Sequence, residues 1–141
     1  MTTLRGGNGA EESRARSATR SVLLRHTLPD GSVHLDWMIE RPDAAAGLIS
    51  FRVDVGVDLS KAGGFAAERI GDHRRDYLTY EGAVSGGRGE VERIAEFGVL
   101  ELVESVGGLR VELERGTSGG RMRWTGEQEI GPRWKFVGVV C

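Results

Sequence analysis

Two histidines and an aspartate in the first third of the chain are spaced so that they could act together. His26, His34 and Asp36 offer imidazole and carboxylate donors. This donor set holds a divalent metal from one side and leaves coordination positions open for water or substrate. His34 and Asp36 are separated by one residue. On an extended strand such a pair shares a face, roughly 6–7 Å apart. His26 can join them only if the chain folds back between residues 26 and 34. Pro29-Asp30-Gly31-Ser32 supplies that turn, with Pro to set φ and Gly to take a conformation that other residues resist. Cross-strand Cβ atoms in such a hairpin lie ~5 Å apart and diagonal ones ~7–8 Å, so the three donors can converge. The same H-x-D pair also suits a merely solvated polar face of a strand, and spacing alone does not separate the two readings.

The elements that must position these donors are strands. Arg20–His26 forms one arm of the hairpin and Val33–Glu40 the other. In the second arm Leu35, Trp37 and Ile39 face one way, and His34, Asp36, Met38 and Glu40 the other. Residues 47–55 form the next strand, with Ile49, Phe51 and Val53 alternating with Ser50, Arg52 and Asp54. Phe65–Ile70 reads as a strand or short turn. Residues 71–77 read as one helical turn N-capped by Asp72, which would stack His73 and Tyr77 at i,i+4. That pair could be an acid–base histidine beside a phenol, or a capped surface turn with a packed ring. The four glycines in 81–89 predict a loop. The last third reads as successive short strands over 90–96, 99–104, 109–114, 121–127 and 133–140, separated by glycine-rich turns. Leu109, Val111 and Leu113 are expected inside, and Arg110, Glu112 and Glu114 outside. Trp37, Trp124 and Trp134 read as core. The pattern predicts an all-β protein with minor helical turns, a compact barrel or sandwich over 19–141. A polar leader over 1–18, without apolar periodicity, is expected to be flexible.

Composition bounds the function. The 141 residues are 39% hydrophobic and 28% charged, ordinary for a globular chain of one domain. No apolar run approaches the ~18 residues of a membrane span, and the N-terminus does not read as a signal peptide. The one cysteine, Cys141, leaves neither an internal disulfide nor a cysteine-based zinc site. These features predict a cytoplasmic protein without a membrane partner. A formal net charge of −2 argues against binding nucleic acid by bulk attraction. Lys61 and Lys135 are the only lysines among 19 basic residues. Arginine suits bidentate phosphate contacts, although codon bias would leave the same imprint. Gly86-Gly87-Arg88-Gly89 lacks the strand-to-helix setting and the Lys-Ser/Thr ending of a nucleotide phosphate loop.

Four pieces in order carry a resemblance: His26, then HLDWMIE at 34–40, then DHRRDYLTYEG at 72–82, then VSGGRGEV at 84–91. Together they resemble the 3′-phosphoesterase domain of bacterial DNA ligase D, and more particularly its short stand-alone relatives. The resemblance spans about Leu24 to Val139. It implies a compact β-barrel using a divalent metal, typically Mn2+ with Zn2+ or Co2+ as possibilities. Such domains trim the 3′ ends of broken DNA in end joining, removing a terminal ribonucleoside and then the 3′-phosphate. Carried over by position, His26, His34 and Asp36 resemble the metal ligands and His73 the catalytic histidine. Tyr77 resembles the tyrosine that touches the scissile phosphate. Glu40 matches an acidic position of no assigned role. The implied partners are DNA or RNA–DNA 3′ ends in a primer–template, with separate ligase or polymerase repair proteins.

This chain departs from the family at two points. The first two histidines lie further apart than is usual, a difference the Pro-Asp-Gly turn can absorb. More seriously, the family's H-x-D-x-R carries a phosphate-gripping arginine where this chain has Met38, and a lysine of the next strand has no counterpart. A lost charge-assisted contact is worth ~1.5–3 kcal/mol. Arg52 and Arg69 are candidate replacements, while Arg74, Arg75 and Arg88 could steer a nucleic-acid backbone. Two other functions remain in view. One is an end-binding module of the same fold with little or no turnover. The other is a non-haem iron oxygenase in which His73, rather than His26, completes a two-histidine, one-carboxylate set.

Overall fold

The structure is a computed structural model that describes residues 19–116 and 119–141. The expected leader over 1–18 lies outside the described residues. The strands are β1 (Thr19–Thr27), β2 (Val33–Ile39), β3 (Leu48–Val53), β4 (Gly63–His73), β5 (Gly82–Ala83), β6 (Glu90–Ser105), β7 (Gly108–Glu114), β8 (Arg121–Ile130) and β9 (Arg133–Val140). A 3₁₀ turn, Arg75–Leu78, follows β4. The strands form one antiparallel sheet in the order β1-β2-β3-β4-β9-β8-β7-β6-β5, and β1 also pairs with β6. The sheet therefore closes into a barrel-like ring, with β5 hung on β6 outside it. Closure removes the exposed edges that an open sheet would present.

The hairpin forms as its turn chemistry predicts. Gly31 takes φ +88°, and Asp30 Oδ1 accepts hydrogen bonds from Ser32 N (2.9 Å) and Ser32 Oγ (2.6 Å). Register follows the alternation. His26 faces His34 and Leu24 faces Asp36, while Leu35, Trp37 and Ile39 point into the ring. There they meet Phe51, Trp124, Trp134 and Phe136, all almost fully buried. The Trp37, Phe51 and Phe136 rings meet tilted or edge to face with centroids 4.9–6.1 Å apart, a favoured aromatic geometry. The two most deeply buried indoles have their polar ends satisfied. Trp37 Nε1 donates to Ser21 Oγ (2.7 Å) and Trp124 Nε1 to the Leu59 carbonyl (3.0 Å).

A second apolar cluster lies on the outside of the ring. Val22, Leu24, Met38 and Leu48 on β1–β3 pack against Leu78, Val84 and Val91, with Tyr77 at the margin. The segment from the 3₁₀ turn to the start of β6 thus covers the outer wall of the hairpin. β2 is consequently buried on both faces from Leu35 to Ile39.

Several expectations need correction. The stretches 90–96 and 99–104 are one 16-residue strand, β6. Gly98 takes no positive φ and lies within the strand rather than at a turn, with the Glu114 carboxylate over its α-carbon. The strand pairs with β1 over its first part and with β7 over its second, with a bulge in each ladder where it bends. β4 also runs further than expected, to His73, because β3 and β9 pair with its two halves. Asp72 is therefore a strand residue. Arg74 holds the N-cap position of the 3₁₀ turn without a side-chain bond, and Asp72 accepts from Arg41 Nη1 at 2.7 Å instead. Residues 82–83, expected as loop, form β5. Glu112 is on the outer face as expected but is buried beneath Arg121 and Arg123 of β8, whose guanidinium nitrogens lie 3.1 and 2.9 Å from its oxygens.

Candidate metal centre and its cleft

The hairpin brings His26, His34 and Asp36 together. One ligand atom from each lies within 4.8 Å of the others. His26 Nδ1 is 3.5 Å from Asp36 Oδ2, and His34 Nε2 is 3.2 Å from Asp36 Oδ1. The two imidazoles meet edge to face with centroids 4.8 Å apart. Asp36 is 4% exposed, so its charge is largely removed from water.

Three features fit this group to a cation. First, His34 Nε2 and Asp36 Oδ1 are buried and face each other at 3.2 Å without hydrogen-bond geometry, and neither has another partner among the described residues, a costly arrangement unless a further group satisfies them. Second, His26 Nε2 lies 2.7 Å from the Arg88 carbonyl. A carbonyl only accepts, so Nε2 carries the proton and Nδ1 turns toward the Asp36 carboxylate. Metal-binding histidines are oriented by a second-nitrogen bond of this kind. Third, burial lowers the pKa of the His34 imidazole, opposed by Asp36 and reinforced by Arg52 and His26. That favours the neutral ring that a metal requires.

Gly89 makes the His26 orientation possible. It takes φ +96°, and a Cβ there would lie 2.0 Å from the Thr27 carbonyl. Only glycine lets 88–89 approach the end of β1 closely enough for the Arg88 carbonyl to meet His26. The glycine-rich segment 84–89 thus orients a candidate ligand through its backbone. A conspicuous GxxG pattern marked the segment, but that backbone role is invisible in the sequence.

His26 and Asp36 open onto a cleft of about 430 Å³ between the hairpin and the covering segment, lined also by His73, Arg74, Tyr77 and Arg88, while His34 stands behind Asp36 and does not line it. His73 reaches it from the end of β4, not from a helical turn shared with Tyr77. The two rings nevertheless meet at 5.6 Å, nearly perpendicular. Ser50 Oγ donates to the Leu48 carbonyl (3.0 Å), so its remaining capacity toward His73 is as an acceptor. His73 Nδ1 lies 3.0 Å from both Ser50 Oγ and the Gly71 carbonyl, which places its proton on Nδ1. Nε2 has no protein partner among the described residues.

The two arginine candidates separate. Arg52 stands across the β2–β3 ladder from Asp36, exposed and without a hydrogen bond or ion pair among the described residues. Arg69 pairs with Phe51 and stacks over Phe51 and Trp134, 5.2 and 5.8 Å from their centroids, on the ring-interior side. It lines a different cleft, and the structure does not bring it to the metal candidates. Met38 is 1% exposed and forms an apolar part of the cleft floor.

Arg75, expected as a candidate for steering a nucleic-acid backbone, is instead taken up by Glu40, the acidic position left without a role. Glu40 accepts from Arg20 N (2.9 Å) and from Arg75 Nη2. Arg75 Nη1 also donates to the Asp43 and Ala46 carbonyls at 3.2 and 3.0 Å. The 3₁₀ turn carrying Tyr77 is thereby tied to the β2–β3 connection. No family model matches this chain, and no curated protein matches it. Among the described residues no helix is long and apolar enough to cross a membrane.

Proposed function

We propose that the chain is a divalent-metal-dependent phosphoesterase acting on nucleic-acid 3′ ends. The observation that carries the reading is the single cleft into which His26, Asp36, His73, Tyr77, Arg74 and Arg88 all open. A cation held by His26, His34 and Asp36 would supply Lewis acidity toward a phosphoryl oxygen. The unpaired Nε2 of His73 is available to take or give a proton at the oxygen that attacks or leaves. Its Nδ1–H bonds to Ser50 and Gly71 keep the ring from turning. The Tyr77 hydroxyl offers a neutral donor to the phosphate. Arg74, Arg88 and Arg52 have no carboxylate partner among the described residues, so their charge is available to a phosphate backbone. The ligand geometry favours His26 over His73 as third donor, which argues against the oxygenase arrangement. The reading places the protein in the cytoplasm, with separate repair ligases or polymerases as partners and manganese as first-choice metal.

Met38 favours a second reading. An apolar, buried residue stands where an arginine would grip phosphate, so the cleft could bind 3′ ends without turning them over. A gel assay on primer–templates ending in one ribonucleotide or in a 3′-phosphate, with manganese, separates the two. Metal-dependent trimming that is lost in His34→Ala and His73→Ala is the expected result. Binding without trimming under Mn2+, Co2+ and Zn2+ alike would leave the end-binding module.

A further inference from the structure

Beside the metal cleft lies a smaller one of about 210 Å³, lined by Arg74, Asp76, Tyr77, Tyr80, Ala83 and Ser85. Arg74, Tyr77 and Ser85 belong to both clefts, so the two are contiguous. The Tyr77 and Tyr80 rings meet almost at right angles, 89°, with centroids 6.0 Å apart. Tyr80 is 40% exposed, unusual for an aromatic side chain that is also held in place. Its hydroxyl donates to the Ala83 carbonyl and its backbone N to the Asp76 carbonyl (3.0 Å). The Asp76 carboxylate has no ion pair or hydrogen bond among the described residues.

We propose that this second cleft is a nucleoside subsite, in which the terminal base of a 3′-phosphorylated strand stacks on Tyr80. The inference rests on the phosphoesterase reading for the location of the phosphate. The chemistry divides along the shared wall. Arg74, between the clefts, is the cation for the phosphate. Tyr80 offers a ring already fixed by its hydroxyl, so little side-chain entropy is lost when a base covers it. Asp76 would repel phosphate, and serves instead as an acceptor for the amino or hydroxyl donors of a base or sugar. A base recognised mainly by its π-face is accepted with little sequence preference, as at other single-strand sites. The subsite therefore selects an unpaired nucleotide at the 3′ end over a bare phosphate or a fully stacked duplex terminus.

The test is a two-by-two cycle of equilibrium binding by fluorescence anisotropy, in EDTA so that turnover plays no part. A 3′-phosphorylated single strand and the same strand with an abasic terminal residue are each titrated with wild type and Tyr80→Ala. Loss of the base or of the ring should each weaken binding roughly 5- to 100-fold, the range of one base–aromatic stack. Losing both should weaken it no further than losing one. Tyr80→Phe keeps the ring but loses its anchor to the Ala83 carbonyl, so it should discriminate between the strands more than Tyr80→Ala and less than wild type, and 2-aminopurine at the terminal position should be quenched by wild type and by Tyr80→Phe only. Equal affinity for the two strands in wild type, or fully multiplicative losses, would overturn the subsite. A positive cycle with no trimming in the gel assay would keep the subsite and remove the phosphoesterase. Trimming with a flat cycle would do the reverse.

Discussion

Asp36 sits 4% exposed between two imidazoles, and among the described residues its Oδ1 meets only His34 Nε2, at 3.2 Å and without hydrogen-bond geometry. Asp36→Asn keeps the shape and removes the charge. Its affinity for Mn2+, measured by isothermal calorimetry, should fall by more than roughly 100-fold, beyond the 10–100-fold typical of losing an outer-shell partner. A cation that binds only the folded state stabilises it by about 2.7 kcal/mol at a hundredfold excess over its dissociation constant. Manganese should accordingly raise the melting temperature of wild type and leave that of Asp36→Asn unmoved. An equal shift in both would place the metal elsewhere. The meeting of these donors was legible in the sequence because strand periodicity is exact enough to put i and i+2 on one face and the turn residues announced themselves. The role of the Arg88 carbonyl was not, since a backbone acceptor has no residue type to betray it.

At the scale of the element, the 3₁₀ turn matters more than its four residues suggest, because it carries Tyr77 and closes the cleft. Arg75 anchors it to Glu40 and to the Asp43 and Ala46 carbonyls. Arg75→Ala removes these bonds and leaves the Glu40 carboxylate half-satisfied, which should cost about 1.5–3 kcal/mol. Urea unfolding measures that loss, and hydrogen exchange should speed at the Tyr77 and Thr79 amides, which bond back to 74 and 76. If exchange there stays slow, the apolar contacts of Leu78 alone hold the turn. Sequence reasoning placed a helical turn here but started it too early. Asp72 is a good N-cap by type, yet its carboxylate is claimed by Arg41 and its backbone by the end of β4. Tertiary partners overrode a local preference.

Over the whole molecule, ring closure makes each strand depend on two neighbours, and outer-face ion pairs fasten adjacent strands. Glu112 on β7 is the most buried of these acids. Burial alone would raise its carboxyl pKa, but hydrogen bonds and charge from Arg123 and Arg121 outweigh it and hold the carboxyl below its ordinary value. A depressed folded-state pKa stabilises the fold above the unfolded value and is lost as pH falls through the folded one. Between about pH 7 and pH 3, wild type should therefore lose more unfolding free energy in urea than Glu112→Gln does. Parallel pH profiles would mean the arginines contribute nothing there.

The sequence by itself determined the strand faces, the hairpin and its turn, the tryptophans of the core and that His26, His34 and Asp36 can meet. All of these follow from local periodicity and turn chemistry, which act over a few residues. Only the tertiary structure decided that β6 is one bent strand shared by β1 and β7, that a second apolar cluster covers the outside of the hairpin, and that His73 enters the cleft from the end of β4. It also decided that Arg52 stands beside Asp36 while Arg69 lies against the core, and that Tyr80 is fixed beside the cleft. Those outcomes depend on which distant segments close the ring and which side chains claim each other's charges. No short window of sequence contains both partners.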